Sequence, residues 1–579
     1  MSAVGICAAD SRQPAPIENK PIWLLALGLI AAIYFYLAPV MQVSDAQFTV
    51  ALSERLLYAH SLDLKPVIDA SPAHLLPFQD ANGDLPLHTV RIGDRVFYAY
   101  PIWTSVLISP LVWLLNGAGL HALDPLTGAY VPAGEFKAQR IIAALLAALL
   151  IMVLMRLALA LTTPKRALAL ALLLIVASSV SSTLSRALWA QSAATLMLAL
   201  ALLHVVSRWQ QQRAVAAAWL VGSLTLMVLL RQPLLFSALL IGLGVALDPL
   251  NNRRALVLWT LLFGAAALAF HFIAFAQITP PSRYGPSLFT LERAPQRLFS
   301  LCFAASRGMA IYLPLAVVAM LAALFCRFGT MERRWRTLAL LAITAHLLLL
   351  AFYKPWAGGG AYGPRLLAEL TPWWLLLAAL ALGQRPLRAA LLAALAVLAL
   401  WQTFIHVRGS FSQATFEWNN VEPTYVAGRA NFHGWRYPQF LAGWRDRPYP
   451  PVNATPLAVL EATTNFTDPS SDPFVHSDFG PAAANGRALS GPFPQLRFAF
   501  PAAPTGSERL TLDLSSSKPA EISVFLNDQK VQHGAVSGFT QLPLHGEYRR
   551  GNMRNNALRI DCVRGCAELR LLALNLTPQ

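Results

Sequence analysis

The sequence predicts a polytopic α-helical membrane protein that carries a small β domain at its carboxyl end. Hydrophobic residues make up 56% of the 579 residues and charged residues only 13%, which fits a chain with many apolar spans. The net charge is +16, but the Arg and Lys residues stand mainly at the ends of apolar runs, where membrane topology places them. Beyond residue 405 the apolar runs shorten to strand length. We therefore expect membrane lipids, and no nucleic acid, among the partners.

Residues 21–40 form the first predicted span, an uncharged apolar run of about the 20 residues that cross a bilayer. No small-residue cleavage site follows it, so we interpret it as a retained signal anchor that follows a cytoplasmic segment, residues 1–20. Residues 101–115 are apolar but short, and Pro110 interrupts them, which favours an interfacial or re-entrant helix. Ten further spans are predicted at 141–161, 167–184, 190–206, 214–230, 233–247, 255–273, 309–325, 337–352, 366–382 and 389–405.

The number of predicted spans, about eleven, can be tested by the side of the membrane on which the basic turns fall. With the amino terminus inside and residues 101–115 not crossing, every short basic turn falls on the inner face, as the positive-inside rule requires. If residues 101–115 crossed, the same turns would lie outside. The preferred topology is a multi-pass domain of residues 21–405 in the cytoplasmic (inner) membrane. Its large loop 41–140 and the carboxyl-terminal region then lie on the outer, periplasmic or extracellular, face.

The carboxyl-terminal region divides into two predicted parts. Residues 406–474 are interpreted as an irregular, aromatic-rich connector, and residues 475–579 as a β-sandwich-like domain, because runs such as 509–514 alternate with the period of a strand. Cys562 and Cys566 are close enough to form a local disulfide in an oxidising compartment. A zinc site is less favoured, since two further ligands at suitable spacing are absent.

A carboxylate stands at the membrane surface directly after the first span. Asp45 precedes residues 49–58, whose pattern predicts an amphipathic helix, so that Asp45 is expected at the mouth of the cavity that the spans enclose. A charge at this depth is costly unless it is solvated or paired, which makes Asp45 a candidate functional residue. The structural alternative is that Ser44 and Gln47 form a capping box and that Asp45 only favours the helix dipole.

Four Arg residues fall in outer loops, where topology does not require them. They are Arg186, Arg283, Arg307 and Arg365. Guanidinium groups can grip a phosphate with two parallel hydrogen bonds, and the glycines that precede Arg365 allow close approach of the backbone to a ligand. We therefore expect these residues to bind a phosphate that is esterified to a lipid. The alternative is that each side chain reaches lipid headgroups or caps the carboxyl end of a helix.

Four short motifs on this outer face give the chain a family resemblance. They are Ser44-Asp45-x-Gln47-Phe48, Ser185-Arg186-Ala187-Leu188-Trp189, Ala305-Ser306-Arg307-Gly308 and Trp356-Ala357-Gly358-Gly359-Gly360-Ala361-Tyr362-Gly363-Pro364-Arg365. In this order and sidedness, over residues 21–405, the chain resembles bacterial members of the GT-C integral-membrane glycosyltransferases, a superfamily that includes protein O-mannosyltransferases and aminoarabinose transferases.

The resemblance implies an outward-facing transferase that uses a polyprenyl-phosphate sugar, with Asp45 matching the catalytic acidic residue of the family. Where the best-known relatives have Lys-Pro-Pro or His-Pro-Pro, this chain has Tyr98-Ala99-Tyr100-Pro101. This departure means that neither the donor sugar nor a Lys–phosphate contact carries over from those relatives.

Transfer from such a donor requires a base and a counter-charge for the leaving phosphate. Asp45 would accept the proton of the attacking hydroxyl in an inverting single displacement, an effect of typically ~10²–10⁴-fold. The outer Arg residues or a divalent cation (Mg, Mn or Ca) would balance the phosphate charge. Glu54 and Asp94 are candidate helpers or metal ligands, and Tyr100 and Trp103 are candidate sugar contacts. Tyr362 in the last motif is a possible accessory residue. The structural alternatives are a solvated helix position for Glu54, a turn for Asp94 and interfacial anchoring for Tyr100.

Two other classes of function stay open. In a transporter or flippase of lipid-linked glycans, Asp45 would be a coupling or gating group, although the two halves of the chain show no matching broken helices. In a non-catalytic scaffold, the β domain would bind glycan. The sequence leaves the sugar open, and it leaves the acceptor open among a glycan, a lipid and a protein.

Overall fold

The structure is a computed structural model that describes part of the chain in two compact units. The described residues are 21–72, 76, 85–86, 88–275, 288–326, 328–383, 389–421, 435, 438–444, 463–465, 475–477, 487–488, 495–498, 508–526, 529–544, 556–564 and 568–578. The first unit comprises Met1–Ala70, Val90–Phe416 and Phe432–Ala442. The second comprises Ser71–Thr89, Glu417–Asn431 and Gly443–Gln579.

The chain before residue 422 is mostly helical, as predicted. Its α-helices are α1 (Pro21–Leu37), α2 (Thr49–Ala59), α3 (Lys65–Ala70), α4 (Trp103–Gly117), α5 (Pro132–Leu161), α6 (Pro164–Val176), α7 (Ala190–Gln210), α8 (Ala217–Leu230), α9 (Leu235–Ala246), α10 (Arg253–Phe275), α11 (Ala294–Phe303), α12 (Met309–Tyr312), α13 (Pro314–Phe325), α14 (Thr330–Phe352), α15 (Thr371–Gly383), α16 (Ala389–Phe411) and α17 (Gln413–Val421). A π-helical turn lies at Val180–Leu184, and 3₁₀ segments lie at Gln232–Leu234, Arg365–Leu370 and Gln439–Leu441.

Six helices within the described residues are long and apolar enough to cross a membrane: α5, α7, α10, α14, α16 and the continuous segment Arg365–Gly383. The other five predicted spans form shorter or broken helices. In one of them Pro314 begins a new helix after Leu313, which separates α12 from α13. The membrane character of the chain is supported, while the count of eleven spans stays a prediction. The helix α4 has 15 residues and contains Pro110, in line with the short, interrupted helix that the sequence predicts.

Helix α5 is the central element of the first unit. It packs against α1, α6, α7 and α15, and most of its side chains are buried. By contrast, α10 and α16 leave most of their apolar side chains exposed. Exposed apolar helix faces are expected in a chain whose surroundings are lipid rather than water.

The loop 41–140 contains α2, α3, α4 and a small hairpin, β1 (Thr89–Ile92) and β2 (Arg95–Tyr98). Residues Thr49 to Glu54 of α2 are buried, whereas Tyr58 near its end is exposed. The predicted helix is therefore confirmed, although its first half is buried on all sides, so that its amphipathic character stays a prediction.

The second unit contains the predicted β region. Its strands are β3 (Thr463–Asn465), β4 (Val475–Ser477), β5 (Arg487–Ala488), β6 (Gln495–Phe498), β7 (Glu508–Leu526), β8 (Gln529–Leu544), β9 (Asn556–Arg564) and β10 (Leu569–Pro578). Backbone hydrogen bonds join these described strands in one sheet of eight, ordered β3-β10-β7-β9-β6-β4, with β5 on β10 and β8 on β7. A sandwich of two sheets stays a prediction.

The long strand β7 organises this unit. It pairs with β8 along its length, with β10 over its first half and with β9 over its second half, and the register shifts between Ser516 and Ala520. The alternating residues Leu510, Leu512 and Leu514 are fully buried in one core. The predicted two-residue period of this segment is confirmed.

The predicted boundaries around the connector are displaced. Helix α16 continues to Phe411 rather than ending at residue 405, α17 follows it, and β3 begins at Thr463. The polar residues Gln402, His406 and Ser410 are buried on α16, so the helix continues past the apolar run by burying polar groups that find hydrogen-bond partners. The proposed pair Cys562–Cys566 lies outside the residues whose side chains the structure describes.

Candidate active site

Asp45 lies in the turn between α1 and α2, and its carboxylate is paired with Arg365. The Asp45 Oδ2 atom accepts a hydrogen bond from Arg365 Nη2 at 2.6 Å. The side chain of Asp45 is 26% exposed and that of Arg365 is 9% exposed. The backbone turn is closed by the Gln47 N–H, which donates to the Ser44 carbonyl at 2.9 Å. The ion pair is thus largely buried on its cationic side and accessible on its anionic side.

Arg365 is also in contact with an aromatic ring. Its Cζ atom lies 4.1 Å from the ring centroid of Trp189, the residue that precedes α7. A cation over an indole face is stabilised by the ring quadrupole, and the planar guanidinium stacks well there. Trp189 and Asp45 together therefore restrict the position of the Arg365 side chain. Sequence analysis included Trp189 in a motif but did not assign it to the site.

The backbone of the turn that contains Asp45 accepts hydrogen bonds from side chains of other secondary-structure elements. The Tyr98 hydroxyl donates to the Asp45 main-chain carbonyl. Gln139 on α5 donates through Nε2 to the Ala46 carbonyl at 2.7 Å. These contacts fix the backbone of Asp45, while its carboxylate accepts hydrogen bonds from Arg365 and, at 3.4 Å, from the Ser44 hydroxyl.

The amino terminus of α2 is capped by a distant carboxylate and not by Ser44. The N–H groups of Val50 and Ala51 donate to the two carboxylate oxygens of Glu135, each at 2.9 Å. The alternative of a Ser44–Gln47 capping box is therefore wrong, because Glu135 occupies the free N–H groups of the first turn. The only sequence signal for Glu135 was an acidic residue just after Pro132 at the start of α5.

Arg186 binds main-chain carbonyls at the end of a helix. It is fully buried, and its guanidinium donates to the main-chain carbonyls of Phe35 and Ala38 and to the Ser185 hydroxyl. These carbonyls belong to the carboxyl end of α1, where the last carbonyls of a helix have no partner within the helix. The contacts support the alternative that this Arg caps a helix end, in place of the predicted phosphate contact.

Arg307 is likewise buried, and it binds the glycine-rich loop. It donates to the Ala357 carbonyl at 3.1 Å and to the Ala361 carbonyl at 2.9 Å, and also to Gln439 Oε1. The same Gln439 oxygen accepts the Gly363 N–H at 3.0 Å. In this structure Arg307 supports the loop that leads to Arg365.

Three glycines of this loop have conformations that favour the absence of a side chain. Gly358 has φ +79°, Gly359 has φ +70° and Gly363 has φ +58°, all in the left-handed region that favours glycine. A Cβ atom at Gly363 would lie 2.7 Å from the ring of Tyr312. The close packing of Gly363 explains part of the glycine content that sequence analysis attributed to ligand approach.

The structure also describes most of the remaining predicted site residues. Arg283 lies outside the described residues. The Tyr362 hydroxyl is buried and donates to the Ile405 carbonyl at 2.8 Å. Asp94 is exposed in the turn between β1 and β2, as its alternative predicted. The ring of Tyr100 packs against that of Tyr98, with centroids 5.5 Å apart.

Glu54 is buried and is a structural group in this fold. Its carboxylate accepts the N–H groups of Ala122 and Leu123 at 2.7 and 2.9 Å. Burial raises the pKa of Glu54 above the ordinary range of a glutamate, although these two hydrogen bonds act in the opposite direction. The alternative of a solvated helix position is therefore wrong as well, because the side chain points into the protein.

A second charged cluster is centred on Glu369, which follows Arg365 in the chain. Sequence analysis did not predict this cluster. Glu369 is fully buried and pairs with Arg231 Nε at 2.8 Å and with His346 Nε2 at 3.1 Å. Glu369 lies in the same 3₁₀ segment as Arg365, four residues later. This cluster anchors the segment to α14 and to the break between α8 and α9, and so it supports the position of Arg365. The sequence did contain a signal for this cluster, because Glu369 is a lone ionisable residue within a predicted apolar span, where such a residue needs a partner.

Among the described residues, no group of three or more His, Cys, Asp and Glu side chains is arranged to hold a metal ion. Arg365, which contacts Asp45, is a cationic group in the described structure that can balance the charge of an anionic ligand. Comparison of the chain with protein-family models, with curated proteins and with solved structures gives no match.

Proposed function

We propose that this protein is a membrane glycosyltransferase that moves a sugar from a polyprenyl-phosphate donor to an acceptor hydroxyl at the outer face of the cytoplasmic membrane. The observation that carries the proposal is the Asp45–Arg365 pair at 2.6 Å, in which an accessible carboxylate meets a guanidinium that stacks on Trp189. A base and a phosphate ligand are the two groups that such a transfer requires. The proposal includes the eleven-span topology, a periplasmic β domain and the resemblance to GT-C transferases.

Arg365 supplies the counter-charge in this mechanism. One terminal nitrogen now contacts Asp45, and Trp189 keeps the guanidinium plane in place. A donor phosphate that enters beside Asp45 competes with the carboxylate for this guanidinium, because phosphate accepts two parallel hydrogen bonds from Arg. Binding of the donor thus separates the ion pair. A carboxylate released from a guanidinium is a better proton acceptor than a paired one.

The chemical step is then a single displacement at the anomeric carbon. The acceptor oxygen forms a bond to this carbon, and the bond from the carbon to the phosphate oxygen breaks, so that polyprenyl phosphate leaves with the bonding electron pair. The hydroxyl proton passes to Asp45, and the configuration at the anomeric carbon is inverted. Arg365 stabilises the additional negative charge on the leaving phosphate. The acceptor is a glycan, a lipid or a protein.

The surroundings of Asp45 favour a catalytic role over a structural one. Its backbone is fixed by Tyr98 and Gln139, and α2 is already capped by Glu135. The carboxylate of Asp45 is thus not required for the helix terminus. A base that is held by its backbone while its carboxylate remains accessible meets the positioning requirement of proton transfer.

The test uses the full-length protein in lipid nanodiscs. It is incubated with polyprenyl-phosphate pentoses and hexoses labelled in the sugar, together with envelope glycans and lipids as acceptors, and the products are identified by mass spectrometry. Asp45→Asn is expected to abolish transfer while the protein still binds donor. Asp69→Asn, the same change at an exposed position on α3, is the control and retains transfer.

The same experiment separates the rival functions. A transporter or flippase moves the intact labelled lipid between leaflets and forms no new glycosidic bond. A non-catalytic binder retains the labelled lipid without product. The proposal is rejected if the unmodified protein yields no transfer product with any of these donors and acceptors, or if Asp45→Asn transfers sugar at the unmodified rate.

A further inference from the structure

One face of the carboxyl-terminal sheet carries polar groups in a regular arrangement that the proposed transfer does not use. In the paired strands β7 and β8, Asp513 lies opposite Gln541 and Ser515 lies opposite Phe539. On the other side of β7, strand β10 brings Asn575 into contact with Asp513. Because side chains alternate across a strand, these residues share the face opposite the buried Leu512 and its neighbours.

Asp513 joins the polar groups of this face. Its Oδ1 atom accepts a hydrogen bond from Gln541 Nε2 at 2.9 Å, and its Oδ2 atom accepts one from Asn575 Nδ2 at 2.8 Å. With both amide nitrogens turned to the carboxylate, the amide groups of Gln541 and Asn575 have fixed orientations. Gln541 is exposed, Asp513 is partly exposed, and Asn575 is buried and orients the Asp513 carboxylate. The face therefore offers solvent an ordered set of hydrogen-bond acceptors and donors.

An exposed aromatic ring lies beside these groups. Phe539 is 65% exposed, although apolar side chains on the opposite face of the sheet are fully buried. The Cα atoms of residues i and i+2 in a strand are about 7 Å apart, so Phe539 and Gln541 are close enough to contact the same sugar ligand. A pyranose has C–H groups on its faces and hydroxyl groups at its rim. A ring that stacks on Phe539 would place rim hydroxyls over the Asp513 group.

We propose that this face, defined by Asp513, Phe539, Gln541 and Asn575, is a carbohydrate-binding site for a glycan with adjacent hydroxyl groups. The aromatic ring supplies the apolar contact, and the Gln541 amide oxygen and the Asp513 carboxylate accept hydrogen bonds from hydroxyl groups, while Asn575 holds the carboxylate in position. The rigid leucine core beneath the sheet keeps the four side chains in register. This binding does not depend on the proposed transfer reaction, because none of these residues belongs to the first unit.

The test measures glycan binding by the full-length protein in nanodiscs. A printed array of bacterial envelope polysaccharides and oligosaccharides identifies the ligand, and calorimetric titration of a bound oligosaccharide gives its affinity. Removal of a central aromatic contact typically lowers affinity about tenfold. Phe539→Ala is expected to weaken binding by about this factor, and the double variant with Gln541→Ala to abolish it. Phe539→Tyr keeps the ring and retains binding.

Lys518→Ala serves as the control, because Lys518 is exposed on the same strand and pairs with Glu568 at the surface. It is expected to bind like the unmodified protein, and thermal denaturation checks that each variant is folded. Asp45→Asn leaves this face unchanged and retains glycan binding, so the failure of one proposal can be told from the failure of the other. The proposal is overturned if no glycan binds, or if the folded double variant binds with unmodified affinity.

Discussion

Arg365 and Asp45 are 320 positions apart in the chain, and their side chains meet at 2.6 Å. The pair combines an accessible carboxylate with a guanidinium that is held on Trp189. The neighbouring arginines are committed to the backbone, Arg186 at the end of α1 and Arg307 at the glycine-rich loop. Arg186, Arg307 and Arg365 therefore do not form one equivalent set, and variants can separate their roles.

Arg365→Lys tests the phosphate contact. Lysine keeps the charge but cannot form two parallel hydrogen bonds and stacks less well on Trp189. In steady-state kinetics we expect the donor KM to rise about tenfold or more, since charge-assisted bidentate bonds are among the stronger polar contacts, while kcat changes less. Arg95→Lys, at an exposed position of the β1–β2 hairpin, is the control. An unchanged donor KM in Arg365→Lys would contradict the assignment.

Arg186→Met tests whether this residue stabilises the fold rather than binding donor. The substitution leaves the carbonyls of Phe35 and Ala38 without their buried donor. Each unsatisfied buried group costs about 1–3 kcal/mol, so we expect the free energy of unfolding to fall by about 2–3 kcal/mol. Thermal denaturation in detergent measures this loss. The donor KM of the protein that remains folded should be unchanged. An increased donor KM without loss of stability would instead indicate that Arg186 binds the donor phosphate.

Gly363→Ala and Gly360→Ala form a matched pair in the glycine-rich loop. At Gly363, the positive φ of +58° and the close Tyr312 ring both oppose a methyl group. We expect a stability loss of at least about 1–2 kcal/mol, because left-handed backbone disfavours L side chains. At Gly360 a Cβ would meet nothing within 4 Å, so Gly360→Ala should be nearly neutral. Denaturation of both variants decides the point, and equal effects would contradict it.

Glu54→Gln tests the pH dependence of stability. Burial raises the pKa of Glu54 in the folded protein, so between the unfolded and folded pKa values the folded state binds more protons than the unfolded state. The contribution of Glu54 to stability therefore falls as pH rises through this window. We expect the unfolding free energy of the unmodified protein, relative to Glu54→Gln, to decrease with rising pH and then to level off. Thermal denaturation over a pH series measures it, and a relative stability that increases with pH would have the wrong sign.

Local patterns in the sequence were sufficient for several elements. Alternation of apolar and polar residues predicted the strand that buries Leu510, Leu512 and Leu514, and the helical period after Asp45 predicted α2. Apolar length predicted the six helices of membrane length, whereas breaks such as that at Pro314 shortened others. These features depend on the period and composition of neighbouring residues, which are visible in a single chain.

What the sequence by itself determined about this protein is a helical, apolar chain with a β region at its carboxyl end and an acidic residue after the first helix. Only the tertiary structure decided that Arg365 pairs with Asp45, that Glu135 caps α2, and that Arg186 and Arg307 bind main-chain carbonyls. The physical reason is that a charged side chain is equally suited to a ligand, a helix end or an ion pair. Its partner is selected by packing between segments far apart in the chain, and no local period records that choice.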